Sequence, residues 1–195
     1  MKKPLFTVKR LALNAVLIAL YVVLSFLKIP IGNILRVNMA SFAVVISAVA
    51  FTPVDGLWVG FLGEFLAQVL GPYGLTPTTV LWALPEGVRG LLLGLAMVLF
   101  AKKGLTTANI QKSKAFFLYL LVCILTGLVA SLLNTFALYV DSKLFGYYSY
   151  YMVFGVLIVR LGLAAVMSTL FGSITLPVVS ALRKNKIIQI CCDKA

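Results

Sequence analysis

Histidine is absent from the 195 residues, and only five positions are acidic. Without histidine the chain cannot build a His-dependent zinc site, an imidazole haem ligand, or a Ser-His or Cys-His nucleophile. Cysteine is nearly as scarce. Cys123 sits inside an apolar run, and Cys191 and Cys192 are adjacent in the tail. Neither pattern has metal-ligand spacing and adjacent cysteines rarely bridge each other, so no redox or metal role is expected. No GxxxxGK[ST] loop and no GxSxG elbow occurs, which leaves this sequence no Walker-type route to ATP hydrolysis and no recognisable catalytic set. Neither catalytic residues nor a cofactor are expected, and the chain does not read as an enzyme. Charged residues are only 11% of the total against 62% hydrophobic, and the mean hydropathy is +1.09. A soluble domain of this length needs far more polar surface, so the fold class is an all-α polytopic membrane protein.

Apolar runs punctuated by proline, glycine and charge predict six transmembrane helices in one membrane domain covering 1–195, at about 9–28, 38–52, 56–70, 78–101, 115–139 and 153–182. The basic start followed by an apolar run also describes a signal peptide, but no small-residue cleavage site follows, so the first helix reads as retained. The second and third spans are short against the roughly 20 residues that a bilayer requires. Thr76-Pro77 predicts the cap and first turn of the fourth helix, and Pro85 predicts a kink within it. The formal charge of +12 is a matter of position. Four Lys or Arg residues lie in each of the N-terminal tail, the loop 102–114 and the C-terminal tail, whereas the opposite loops share Lys28, Arg36 and Lys143. The positive-inside bias therefore predicts that both termini are cytoplasmic. The excess charge suits an anionic lipid bilayer and calls for no nucleic acid.

The stretch Leu75–Gly94 organises the rest, because it places Glu86 and Arg89 three residues apart inside an apolar run. Charges in hydrocarbon cost at least a few kcal/mol each and mark a site or a buried pair. Under the six-helix topology Glu64, Glu86, Arg89, Asn134 and Arg160 fall at similar depth, and the two acids and two arginines sum to zero. Tyr73, Thr78 and Trp82 flank them, with Arg36 and Asn38 near the second helix. These ten side chains are the candidate substrate-binding set: an apolar cleft with a few fixed polar groups, suited to a small organic anion or a flat ring. The competing reading is that they only tie helices together. Small residues form a second pattern. Ala12, Ala15 and Ala19 stripe the first helix, and Gly56/Gly60 and Gly90/Gly94 repeat the small-xxx-small spacing that admits close helix approach.

The N-terminal half carries Leu35-Arg36-Val37, then Phe51-x-Pro53-x-x-Gly56-x-x-Val59-Gly60, then Gly63-Glu64. With the six-span size and basic ends, this resembles the substrate-capture (S) components of energy-coupling-factor (ECF) vitamin transporters, in their folate-type branch. The resemblance implies a membrane subunit that captures a water-soluble vitamin or precursor from outside: folate, pantothenate, pyridoxine or a hydroxymethylpyrimidine-like compound. It further implies docking through Ala12, Ala15 and Ala19 on an ECF membrane coupling subunit driven by two ATPase subunits, in a bacterial plasma membrane. A stand-alone ion-coupled secondary transporter of a small organic anion is the alternative, and the absence of an inverted repeat speaks against it.

Overall fold

The computed structural model describes residues 8–31, 35–72, 74–105, 107–112 and 114–184, with only the backbone course at 28–31, 35–37, 108, 111 and 112. In chain order the elements are α1 (Val8–Phe26), β1 (Lys28–Ile31), β2 (Leu35–Asn38), α2 (Ser41–Ala50), α3 (Pro53–Val69), α4 (Thr79–Lys102), α5 (Thr107–Lys112), α6 (Ala115–Leu144), a π-helical turn (Tyr151–Gly155) and α7 (Leu157–Lys184). Among the described residues four stretches are long and apolar enough to cross a membrane: Val8–Phe26, Thr79–Lys102, Ala115–Leu144 and Tyr151–Lys184.

The sequence predicts a second span from 38 to 52, but α2 has only ten residues, nine of them buried. Its Ser and Ala positions leave almost no side-chain bulk, and α1, α3, α4 and α7 close around it. Lipid is replaced by protein, so membrane length is not demanded of it. The preceding loop differs too. β1 and β2 pair antiparallel, Lys28 opposite Asn38 and Ile31 opposite Leu35.

Thr52 opens α3 with a capping box. Its hydroxyl receives the Asp55 amide at 3.4 Å, and the Asp55 carboxylate receives the Thr52 amide at 2.9 Å, with Pro53 preset in the first turn. Arg10 of α1 pairs with the same carboxylate, and Asn14 Nδ2 donates to Asp55 Oδ1 at 2.7 Å. Asp55 thus fixes the start of α3 and clamps α1 beside it.

Glycine sets how closely α3 meets α4. A Cβ on Gly90 would stand 2.1 Å from the Gly56 carbonyl oxygen, and one on Gly60 would stand 2.4 Å from that of Glu86. Gly94 meets Pro53 Cα in the same way, at 2.5 Å. The glycine pairs are therefore the backbone-to-backbone seam of the bundle. Gly127 against Ser168 and Gly172 against Cys123 bring α6 and α7 together, antiparallel. These contacts place the start of α1, the end of α4, the start of α6 and the end of α7 at one end of the bundle. That end holds the apolar core: Val49 and Phe51, Leu93, Met97 and Phe100, Tyr119 and Cys123, Leu176 and Val179.

Helix α4 begins two residues later than the Thr76-Pro77 pair predicts. Thr76, Thr78 and Thr79 instead knot their hydroxyls together ahead of the first turn, and α4 runs on through a buried Pro85. The last predicted span, from 153, opens with the π-helical turn, whose Met152 carbonyl accepts from Arg160 Nη2 at 2.9 Å.

The seam yields a direct comparison. Gly90→Ala should destabilise the bundle by about 1–3 kcal/mol through overpacking. Gly162→Ala on α7, where a Cβ meets nothing within 4 Å, should be neutral or slightly stabilising. Thermal unfolding of the two variants in detergent checks this, and equal midpoints contradict the seam.

Candidate functional site

The polar residues gather at the end of the bundle opposite the apolar core, around a cavity of about 500 Å³. Tyr21 reaches it from α1, Ser41 from α2, Glu64 and Gln68 from α3, and Trp82, Glu86 and Arg89 from α4. Gly127, Ala130, Ser131, Asn134 and Leu138 line it from α6, and Arg160, Leu163, Ala164, Met167 and Phe171 from α7; Asn38 stands at the end of β2. The periodicity explains why one face of each helix arrives here. Ser131, Asn134 and Leu138 follow three- and four-residue steps, as do Trp82, Glu86 and Arg89.

The charged groups are held in different ways. Glu64 accepts from Tyr21 OH at 2.6 Å and from Gln68 Nε2 at 2.7 Å. Glu86 Oε1 accepts from Ser41 Oγ at 2.7 Å and lies 3.8 Å from Arg89 Nη1. Arg89 Nη2 in turn donates to Ser168 Oγ at 3.1 Å. Arg160 is half-buried and bonded to the π-helical turn. Two carboxylates and two guanidiniums around one space leave it without net charge, which is how ionised side chains are tolerated at membrane depth. Chemically the cavity offers Trp82, Tyr21 and Phe171 as flat apolar surface, with acceptors and donors between them.

Seven of the ten candidate residues therefore line one space: Asn38, Glu64, Trp82, Glu86, Arg89, Asn134 and Arg160. Thr78 does not. It occupies the N-cap position of α4 without a capping side-chain hydrogen bond and gives its hydroxyl to Asp141 near the end of α6, a carboxylate that Tyr147 OH also engages. Tyr73 lies outside the described residues; Arg36 is on β2, with its side chain outside them. Tyr21, Ser41, Gln68 and Ser131 line the cavity without having stood out in the sequence. Tyr21 had a signal. Asn14, Tyr21 and Ser25 are the buried residues of α1, spaced by seven and four on one helix face. The opposite side of α1 leaves Ala12, Ala15 and Ala19 exposed.

The family model for the S component of ECF-type riboflavin transporters matches residues 5–184. Among solved structures, the S component for biotin from an ECF-type ABC transporter aligns at TM-score 0.55 and 18% identity, covering 91% of this chain and 92% of that one. An S component of a bacterial ECF transporter aligns at TM-score 0.50 and 20% identity, covering 91% and 95%. At such identities these two likenesses speak for the fold alone. No curated protein is similar enough in sequence to count as a match. The folate-type branch that the N-terminal motifs imply finds no support in these comparisons, since the matched model is the riboflavin-type one. Nearly the whole chain fits that model, over the same helices that carry the cavity, and the protein belongs to the family of ECF-type riboflavin transporter S components.

Proposed function

We propose that this chain captures a water-soluble vitamin or vitamin precursor with a heteroaromatic ring and hands it to an ATP-driven ECF module. The observation that carries this reading is the convergence of Glu64, Trp82, Glu86, Arg89, Asn134 and Arg160 on one cavity of about 500 Å³. That volume is in the range of small-molecule sites, and the wall is mostly apolar with a few fixed polar groups. The net neutrality of the charged lining favours an uncharged or zwitterionic solute. Riboflavin, pyridoxine and hydroxymethylpyrimidine are candidates by this measure, with folate and pantothenate as the carboxylate-bearing contrasts.

Sidedness follows from charge. The cavity lies opposite the end where α1 starts and α7 stops, and the basic tails and the 102–114 loop make that end cytoplasmic. The solute then enters from outside, across a bacterial plasma membrane. Energy comes from two partner ATPases, since the sequence carries no Walker-type loop of its own. The exposed alanine stripe on α1 is the proposed docking face for the membrane coupling subunit: Ala12, Ala15 and Ala19 leave room for a partner helix to approach closely.

Two measurements test these steps. Titration of the purified protein against a vitamin panel should find one tight ligand, and Trp82→Ala should weaken it about tenfold through lost ring contact. A panel without a binder, or gradient-driven uptake by this chain alone in liposomes, contradicts the proposal. Ala15→Trp should leave ligand affinity unchanged yet abolish co-purification with the coupling subunit. Normal assembly of that variant removes α1 as the docking face.

A further inference from the structure

At the cavity end of α6 and α7 lies an aromatic patch that the cavity itself does not use. Among the described residues every tyrosine that reaches the surface lies between 139 and 151, whereas Tyr21 and Tyr119 are fully buried. Tyr139 meets Tyr148 edge-on at 5.7 Å between ring centroids and Phe154 at 6.1 Å, and Tyr150 meets Phe154 at 5.5 Å. Lys143 Nζ stands 4.1 Å from the Tyr148 centroid and 6.0 Å from that of Tyr139. Lys143 is exposed and forms no salt bridge among the described residues. Asp141, two positions before it, is taken by Thr78 and Tyr147.

The exposed face of α6 changes character as it approaches this patch. Leu125, Val129, Leu132 and Phe136 lead in three- and four-residue steps to Tyr139 and then Lys143. Helix α7 runs through the same gradient in reverse, from Tyr150, Tyr151 and Phe154 to Ile158, Val166 and Leu170. The aliphatic steps suit hydrocarbon. The level of rings and ammonium suits the headgroup layer, where a Tyr hydroxyl or the tip of a Lys stem meets polar groups while the rest stays on apolar surface. Length agrees with this placement. Helix α6 has 30 residues, roughly 45 Å at 1.5 Å per residue, which is the hydrocarbon core plus both headgroup layers. With exposed Lys114 just before its first turn at one membrane surface, Lys143 arrives at the other. The flanking rings hold the Lys143 ammonium by cation–π attraction, and its charge is left for an anion.

We propose that Tyr139, Lys143, Tyr148, Tyr150 and Phe154 form a binding site for a phospholipid of the outer leaflet. Lys143 holds the phosphate, the rings pack against the glycerol region, and the acyl chains lie along the aliphatic faces of α6 and α7. The choice of leaflet rests on the sidedness proposed above; the lipid contact does not depend on what the cavity captures. The site borders the cavity. Leu138, which lines it, directly precedes Tyr139, and Arg160, which also lines it, donates to the Met152 carbonyl in the π-helical turn between Tyr150 and Phe154.

The test uses the full chain in vesicles of phosphatidylethanolamine and phosphatidylglycerol. Tyr150→Trp is the reporter, in a chain whose two native tryptophans are changed by Trp58→Phe and Trp82→Phe. A nitroxide on the lipid headgroup should quench it more than bromine near the acyl-chain ends or iodide in the water. Strongest quenching by iodide or by the deep bromine overturns the headgroup placement. So does headgroup quenching that disappears as the chain-to-lipid ratio rises, because a second copy then covers the patch. Independently of that triple variant, native mass spectrometry reads the phospholipid retained after mild detergent extraction. Lys143→Gln should lower retention about fivefold, the effect of one lysine at an anionic surface, and Lys143→Arg should restore it. Equal retention by Lys143→Gln and the unmodified chain overturns the phosphate assignment.

Discussion

The approach of α3 to α4, backbone against backbone, sets the depth at which everything else meets. Gly60 lies against the carbonyl of Glu86 itself, so the close contact fixes Glu86 relative to α3 and, four residues on from Gly60, to Glu64. A single methyl group at Gly56, Gly60, Gly90 or Gly94 would push the helices apart by more than side chains can absorb. The same register lets Tyr21, packed on Gly63, hydrogen-bond to Glu64 from α1. Three helices thus share one ruler, and its zero is a stack of glycines.

From that seam the bundle divides into two ends with different physics. Toward the chain termini, Leu93, Met97, Phe100, Tyr119, Leu176 and Val179 form an apolar core that holds the helices together. Away from the termini, the same helices turn Glu64, Glu86, Arg89 and Arg160 toward a shared space. Charged side chains are tolerated there because they balance and because Ser41, Tyr21, Gln68 and Ser168 satisfy part of their capacity. Helix α1 belongs to both ends. Arg10 and Asn14 clamp it to Asp55 while Tyr21 touches the cavity wall, leaving the alanine side turned outward.

Much of this was legible in the residues. The apolar runs marked the helices, the glycine spacing marked the seam, and lone charges in hydrocarbon marked the cavity wall, because each is expensive unless it serves packing or binding. What escaped the sequence had short-range causes. The β1–β2 hairpin is two strands of four residues, too brief for a periodic signal. Thr78 reads as a site residue beside Trp82, yet its hydroxyl is taken by Asp141, 63 positions away, a pairing no local pattern announces. Ser41 and Gln68 are unremarkable polar residues until folding sets them against Glu86 and Glu64. The branch of the family did not follow from the same residues: the motifs quoted for it lie in β2, the α2–α3 turn and the glycine seam, and of their described side chains Glu64 reaches the cavity wall.

The central claim is that this polar cavity holds a vitamin-like solute. Native mass spectrometry on protein purified from a membrane under mild conditions, followed by identification of the released molecule, addresses it most directly. The account predicts one small heteroaromatic compound bound per chain, lost when Arg89 is replaced by alanine. A lipid in that position, or an empty chain under conditions that preserve the fold, would contradict it.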